Sequence, residues 1–498
     1  MNFNSWQFLV FLPIVLLLYW IIPHRFRWIF LLAASYFFYM CWNAWLIFLI
    51  VGTTLVSYLA GILMERTEKK SLKKFYLVTA IIVCLGVLVF FKYFNFLCKT
   101  AIDFLNLFTL KINDYALDII LPIGISFYTF QTLSYVIDVY KGKFPAEKHL
   151  GYYALFVSFF PQLVAGPIER PGDLIPQLKE KHYLNKEDFF CGLRILAVGF
   201  FYKCVLADFL GIFVNRVFNN VGGANSLSII IASLIFSFQI FGDFAGYSEI
   251  ATGVARMMGI RLTKNFNRSY MPTSYSDFFR RWHITLSRWF TDYVYIPLGG
   301  SRKGTARRVF NTFVVFILCG LWHGANLTYL IWGLYVAFFM CLEFLISKPI
   351  GRFLNKKGIN TESKTMLALR VIGMYLLFIP AGIIFRANNI SELGELFVRL
   401  FTTAGFGAQY FESAMTALGL NAMSIVGIVL FSAAAIMLWH FAEIGRDGKE
   451  EILPLDKNGN YVAAQRTVVF IYVVIAVMLC WTALLYSGDV SQFQYFQF

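Results

Sequence analysis

A chain of 498 residues that is 59% hydrophobic, 19% aromatic and only 14% charged cannot cover a water-soluble surface. That balance excludes a disordered chain, a soluble multidomain enzyme and a disulfide-stapled secreted domain, and leaves a polytopic membrane protein. The net charge of +15 invites a nucleic-acid reading, yet the Lys and Arg residues fall in short clusters between apolar stretches, as in loops held at an anionic membrane surface.

A helix needs about 20 apolar residues to cross the hydrocarbon core. Residues 6–22 have no basic residue before them and no small-x-small cleavage site after them, so they read as a retained helix and not as a signal peptide. Apolar stretches follow at 28–42, 44–64, 75–97, 116–137, 152–165, 191–214, 226–258, 309–346, 367–385, 423–442 and 467–487. Those at 28–42 and 152–165 are short and fit tilted or re-entrant pieces. Stretch 309–346 accommodates two helices joined at 324–326. The expectation is an all-α polytopic membrane protein with roughly eleven to thirteen membrane-embedded elements and short amphipathic interfacial helices.

Orientation follows the basic segments. Residues 65–74 (ERTEKKSLKK) carry five Lys or Arg, and 301–308 (SRKGTARR) and 348–357 carry four each. Residues 445–466 hold Arg446, Lys449, Lys457 and Arg466. All four segments are placed as cytoplasmic loops, so the last span runs outward and the C-terminus is extracytoplasmic. Eight Cys lie mostly in apolar stretches, and no C-x-x-C or H-E-x-x-H spacing occurs, so no disulfide framework and no metal site are expected.

Ionisable and polar groups at membrane depth are functional candidates by default. His24, His149 and His182 sit in polar loops, and His440 closes an apolar helix beside Glu443 and Arg446, where a cap explains it. His323 stands apart in 316–333 (FILCGLWHGANLTYLIWG), with no charged residue nearby and Gly320 and Gly324 on either side. A neutral imidazole there can accept a proton, and equally can hydrogen-bond between helices. His283 lies in 277–293 (DFFRRWHITLSRWFTDY), read as one amphipathic helix in the interface plane with Arg281 and Arg288 on a shared face. Its sharper alternative makes Arg280, Arg281 and Arg288, with Trp282, a landing site for a phosphate-rich donor. Asp243 and Tyr247 stand one helical turn apart, where a buried polar brace is expected. Arg386 is expected to end a helix. Residues 491–498 (SQFQYFQF) set the phenolic hydroxyl of Tyr495 among three Phe rings. They read either as an aromatic-belt anchor or as a tail folding back into a cavity.

Five stretches resemble the membrane-bound O-acyltransferase family, in its alginate O-acetyltransferase-like branch. They are 159–171 (FFPQLVAGPIERP), 242–253 (GDFAGYSEIATG), 265–304 (NFNRSYMPTSYSDFFRRWHITLSRWFTDYVYIPLGGSRKG), 320–333 (GLWHGANLTYLIWG) and 384–393 (IFRANNISEL). Departures are small, such as Glu249 where the family often has Asp and Thr291 where Arg is common.

The resemblance implies a catalytic membrane core over 1–345 and C-terminal helices over 346–498 ending in the aromatic tail. It implies transfer of an acyl group, usually acetyl, from a cytoplasmic thioester such as acetyl-coenzyme A to an acceptor hydroxyl, with no bound cofactor. His323 corresponds to the family's intramembrane histidine and His283 to its second histidine. Trp322, Asn326 and Asp243 are supporting candidates, Asn326 and the amides near Gly324 as oxyanion donors. A related D-alanyl transfer protein has a small companion ending in an aromatic motif with a tyrosine, which residues 493–498 resemble, so Tyr495 is the candidate acyl acceptor. The implied setting is a bacterial inner membrane with a secreted or membrane-anchored acyltransferase partner. The competing readings are D-alanyl-type transfer, a transporter for an anionic solute, and an accessory subunit that anchors a secreted acyltransferase.

Overall fold

The computed structural model describes residues 1–108, 113 and 116–419. The stretches at 423–442 and 467–487, His440 and the tail with Tyr495 lie outside the described residues. Every regular element among the described residues is helical. These residues form two compact units, one of Met1–Leu196 with Tyr247–Lys264, the other of Ala197–Gly246 with 265–419.

The first unit holds α1 (Trp6–Ile21), α2 (His24–Met40), α3 (Ile47–Arg66), α4 (Lys70–Asn106), α5 (Ile125–Tyr140), α6 (Leu150–Ser158) and α7 (Pro171–Lys179). Two long helices follow, α8 (Lys186–Phe218) and α9 (Ser226–Met257), and the division between units falls within each. The second unit continues with α10 (Tyr275–Arg281), α11 (Ile284–Phe290), α12 (Thr305–His323), α13 (Leu327–Lys356), α14 (Lys364–Arg386), α15 (Ile390–Thr402) and α16 (Ala408–Leu418). Seven helical segments among the described residues are long and apolar enough to cross a membrane. They are α4, α8, α9, α12, α13 and α14, together with α3 extended by its preceding turn.

Several expectations about boundaries are corrected. Stretch 116–137 is helical only from Ile125 onward. Pro122 supplies no N–H, Gly124 takes a left-handed φ of 74°, and Asn95 bonds the backbone of Leu117 in place of a helical turn. The basic stretch 348–357 is not a loop: α13 runs to Lys356, with Pro349 inside it. At 30 residues α13 is about 45 Å long, against a hydrocarbon core of about 30 Å, so its basic end emerges as helix. Stretch 309–346 does divide as expected, with the break at Gly324 and the N-cap at Asn326.

That break makes the central hairpin of the second unit. Asn326 starts α13 by accepting the Thr328 amide at 3.1 Å. Two glycines let α12 and α13 meet backbone to backbone: a Cβ on Gly320 would lie 2.2 Å from the Tyr329 carbonyl oxygen, and one on Gly333 2.2 Å from that of Phe316. The last residue of α12, His323, is therefore held where two helix ends converge. Helix α14 ends beside them, because Asn388, two residues past its last, accepts the Asn326 side-chain amide on its carbonyl at 2.6 Å. Arg386 closes α14 as expected, buried and donating to Asn388, Asn215 and Asn219 at 2.9–3.3 Å.

Candidate active site

His323 is 7% exposed and stands in an aromatic cage. The rings of Trp322, Trp332 and Phe385 each meet the imidazole edge-on with centroids 5.1 Å away. Phe385 also packs on Tyr329 at 5.0 Å and Trp332 at 5.4 Å, so α12, α13 and α14 all contribute walls. Edge-to-face contacts of this kind fix ring orientation.

His283, 40 positions earlier in the chain, reaches the same cluster, its ring 5.6 Å from that of Trp322. Phe244 of α9 covers it at 4.5 Å, and only 2% of His283 is exposed. The single amphipathic helix expected over 277–293 is not formed. Helix α10 stops at Arg281, α11 starts at Ile284, and His283 sits between them with a left-handed φ of 45°. Arg281 and Arg288 are consequently on separate helices, and the i, i+7 face they were expected to share does not exist. The kink is clamped by the segment before α10. The Asn265 carbonyl accepts the Ile284 amide at 2.9 Å, and Asn267 donates its amide to Arg281 at 2.8 Å. The Asn265 side-chain oxygen accepts from Thr285 Oγ1 at 2.9 Å and meets His283 Nδ1 at 3.1 Å. Burial pulls the His283 imidazole well below its ordinary pKa, and the neighbouring His323 pulls it further. His283 is therefore a neutral imidazole at physiological pH.

The other candidate residues take varied positions. Arg280 and Arg288 are exposed, whereas Arg281 is half-buried and bonds Asp277 at 2.8 Å. Arg280 reaches the same carboxylate at 3.6 Å. Trp282 packs among Phe278, Phe266 and Phe241. Trp322 is buried and in ring contact with both imidazoles. Asn326 is engaged as a helix cap and with Asn388. Asp243 is buried and accepts from Lys203 Nζ at 2.7 Å, and Lys203 also bonds Asp208 at 2.7 Å. This is a polar brace, built with a lysine that the sequence reading passed over. Asn265, Trp332 and Phe385 were passed over too. Lys203 carried a usable signal, a cation inside an apolar stretch; the other three carried none.

The geometry describes a membrane protein with two buried histidines set among aromatic rings. Residues 146–383 match the family model for MBOAT, the membrane-bound O-acyltransferase family. A protein named as a probable alginate O-acetylase of Pseudomonas aeruginosa is 36% identical over 408 residues, covering 81% of this chain and 75% of that one. The peptidoglycan O-acetyltransferase of Helicobacter pylori is 37% identical over 366 residues, covering 67% of this chain and 68% of that one. The teichoic acid D-alanyltransferase of Bacillus subtilis is 32% identical over 238 residues, covering 45% of this chain and 59% of that one. The chain belongs to the membrane-bound O-acyltransferase family and is a multi-pass membrane enzyme.

Proposed function

We propose that this enzyme takes an acetyl group from a cytoplasmic thioester, acetyl-coenzyme A or another acyl carrier, and passes it to an extracytoplasmic hydroxyl for O-acetylation of an exopolysaccharide or cell-wall polymer. The observation that carries this reading is that buried His323, at the break between α12 and α13, and buried His283 both pack against Trp322. The acetyl and polymer assignments draw on the alginate and peptidoglycan relatives. Those two match far more of the chain than the D-alanyltransferase does, which favours acetyl over D-alanyl.

In the proposed step His323 accepts the proton of the acceptor hydroxyl as its oxygen attacks the thioester carbonyl. The tetrahedral adduct collapses, the C–S bond breaks, and the thiolate takes the proton from the imidazolium. The products are an oxygen ester and a free thiol. A general base of this kind contributes about 10²–10⁴-fold, and an aromatic cage that sheds water protects the thioester from hydrolysis.

Access follows the helix directions. Helix α12 runs away from the basic segment 301–308, and α14 runs away from Lys364, toward the ends that carry His323 and Phe385. With basic segments on the cytoplasmic side of a bacterial inner membrane, those ends face the acceptor. The exposed Arg280 and Arg288 offer cationic groups for the phosphates of the donor. Tyr495 is the proposed first acceptor, handing its acetyl ester to a secreted or membrane-anchored partner.

Purified protein incubated with labelled acetyl-coenzyme A tests the reading. Release of coenzyme A with label retained on the protein supports transfer through Tyr495. Release without any labelled acceptor, equal in wild type and Tyr495→Phe, rejects that relay.

A further inference from the structure

We propose that Asn265 is a positioning residue for the second histidine: it fixes the His283 proton on Nδ1 and leaves Nε2 as the lone-pair nitrogen of the site. This deepens the reading above and rests on it.

The assignment follows from what each atom can do. The Asn265 side-chain atom nearest His283 also meets the Thr285 backbone N–H at 3.3 Å. A backbone N–H only donates, so that atom is the amide oxygen and not the amide nitrogen. An oxygen only accepts, so the 3.1 Å contact with His283 Nδ1 requires the proton on Nδ1. A neutral imidazole carries one N–H, which leaves Nε2 unprotonated. Burial and the neighbouring His323 both act to keep the ring neutral, and His323 is the one titratable group acting on it among the described residues.

Nε2 is fully buried and makes no hydrogen bond among the described residues. Leaving a buried acceptor unsatisfied is unfavourable, and so is the left-handed backbone at His283. The clamp from Asn265, backbone and side chain together, holds both costs in place. Such a nitrogen takes a hydrogen bond from an N–H or O–H, which the amides of an acyl carrier and the hydroxyl of an acceptor both supply. His283 is thus set to orient one reactant while His323 moves the proton.

Two measurements on the full-length protein test this. In protein labelled with ¹⁵N-histidine, with the signal assigned by its loss in His283→Gln, Nδ1 should show the protonated shift and Nε2 the lone-pair shift. The opposite tautomer overturns the proposal. Asn265→Asp keeps every accepting bond but adds a negative charge that favours the imidazolium. The pH at which His283 gains its second proton, and with it the acid limb of acetyl transfer, should move up by about one unit or more. A folded Asn265→Asp protein with both at wild-type positions overturns it as well. The tautomer readout does not depend on turnover, so wild-type transfer by His283→Gln would instead reject the functional reading of the site.

Discussion

His323 and Glu169 are both buried, yet substituting them has opposite consequences. His323→Ala removes the proposed base and the ring that Trp332 and Phe385 pack against, so transfer should fall about 10²–10⁴-fold with a lowered but still cooperative melting transition. Comparing single-turnover rates and thermal unfolding of the same preparation checks this. Glu169 lies in the first unit, 1% exposed, accepting from the Thr263 amide and hydroxyl. Burial pushes its carboxyl up from the ordinary 4.5 to about 7 despite those bonds. Its contribution to stability is therefore full below pH 4.5 and is lost as pH rises through about 7. Glu169→Gln keeps an oxygen for the Thr263 amide, donates its own N–H to the Thr263 hydroxyl in place of accepting from it, and cannot ionise. Above pH 7 it should melt higher than wild type, with the gap closing on acidification; parallel melting curves from pH 4.5 to 8 would refute this. His323 was legible as a candidate in the sequence because no charge neighbours it and glycines flank it. Asn265 was not, since it lies 18 positions from His283 and meets it only through a left-handed kink that no periodicity announces.

Among the helices, α12 and α13 set the site, and their packing depends on the glycines at 320 and 333. Gly333→Val places a branched side chain where a Cβ already lies 2.2 Å from the Phe316 carbonyl. The hairpin should splay, lowering both the melting temperature and transfer. Gly373→Val in α14, where a Cβ has nothing within 4 Å, serves as the matched control, expected to change both far less. The two-helix reading of 309–346 succeeded because the Gly-Ala-Asn sequence supplies both a stop and a cap. The one-helix reading of 277–293 failed because helical spacing of its arginines and aromatics continues through Trp282 and His283, while the clamp that breaks it comes from 265–267. Helix α8 carries Lys203, and its link to Asp243 on α9 is a long-range pair that neither helix discloses alone. Asp243→Ala would leave that buried lysine with Asp208 as its remaining carboxylate partner and should destabilise the protein by about 1.5–3 kcal/mol, measurable by chemical unfolding in detergent.

For the whole molecule, composition was enough to establish a polytopic helical membrane protein, because 14% charged residues leave no alternative surface. Residue types brought out the histidines but not their proximity, which depends on the left-handed kink at His283 and the hairpin break at 324–326. The central claim is that His323 moves an acetyl group from a thioester to a hydroxyl across the bilayer. It is tested most directly in oriented proteoliposomes supplied with labelled acetyl-coenzyme A on the side of the basic segments. Wild-type protein should release coenzyme A there and expose labelled ester on the opposite side, whereas His323→Ala should do neither. Labelled ester formed by His323→Ala at the wild-type rate would contradict the account.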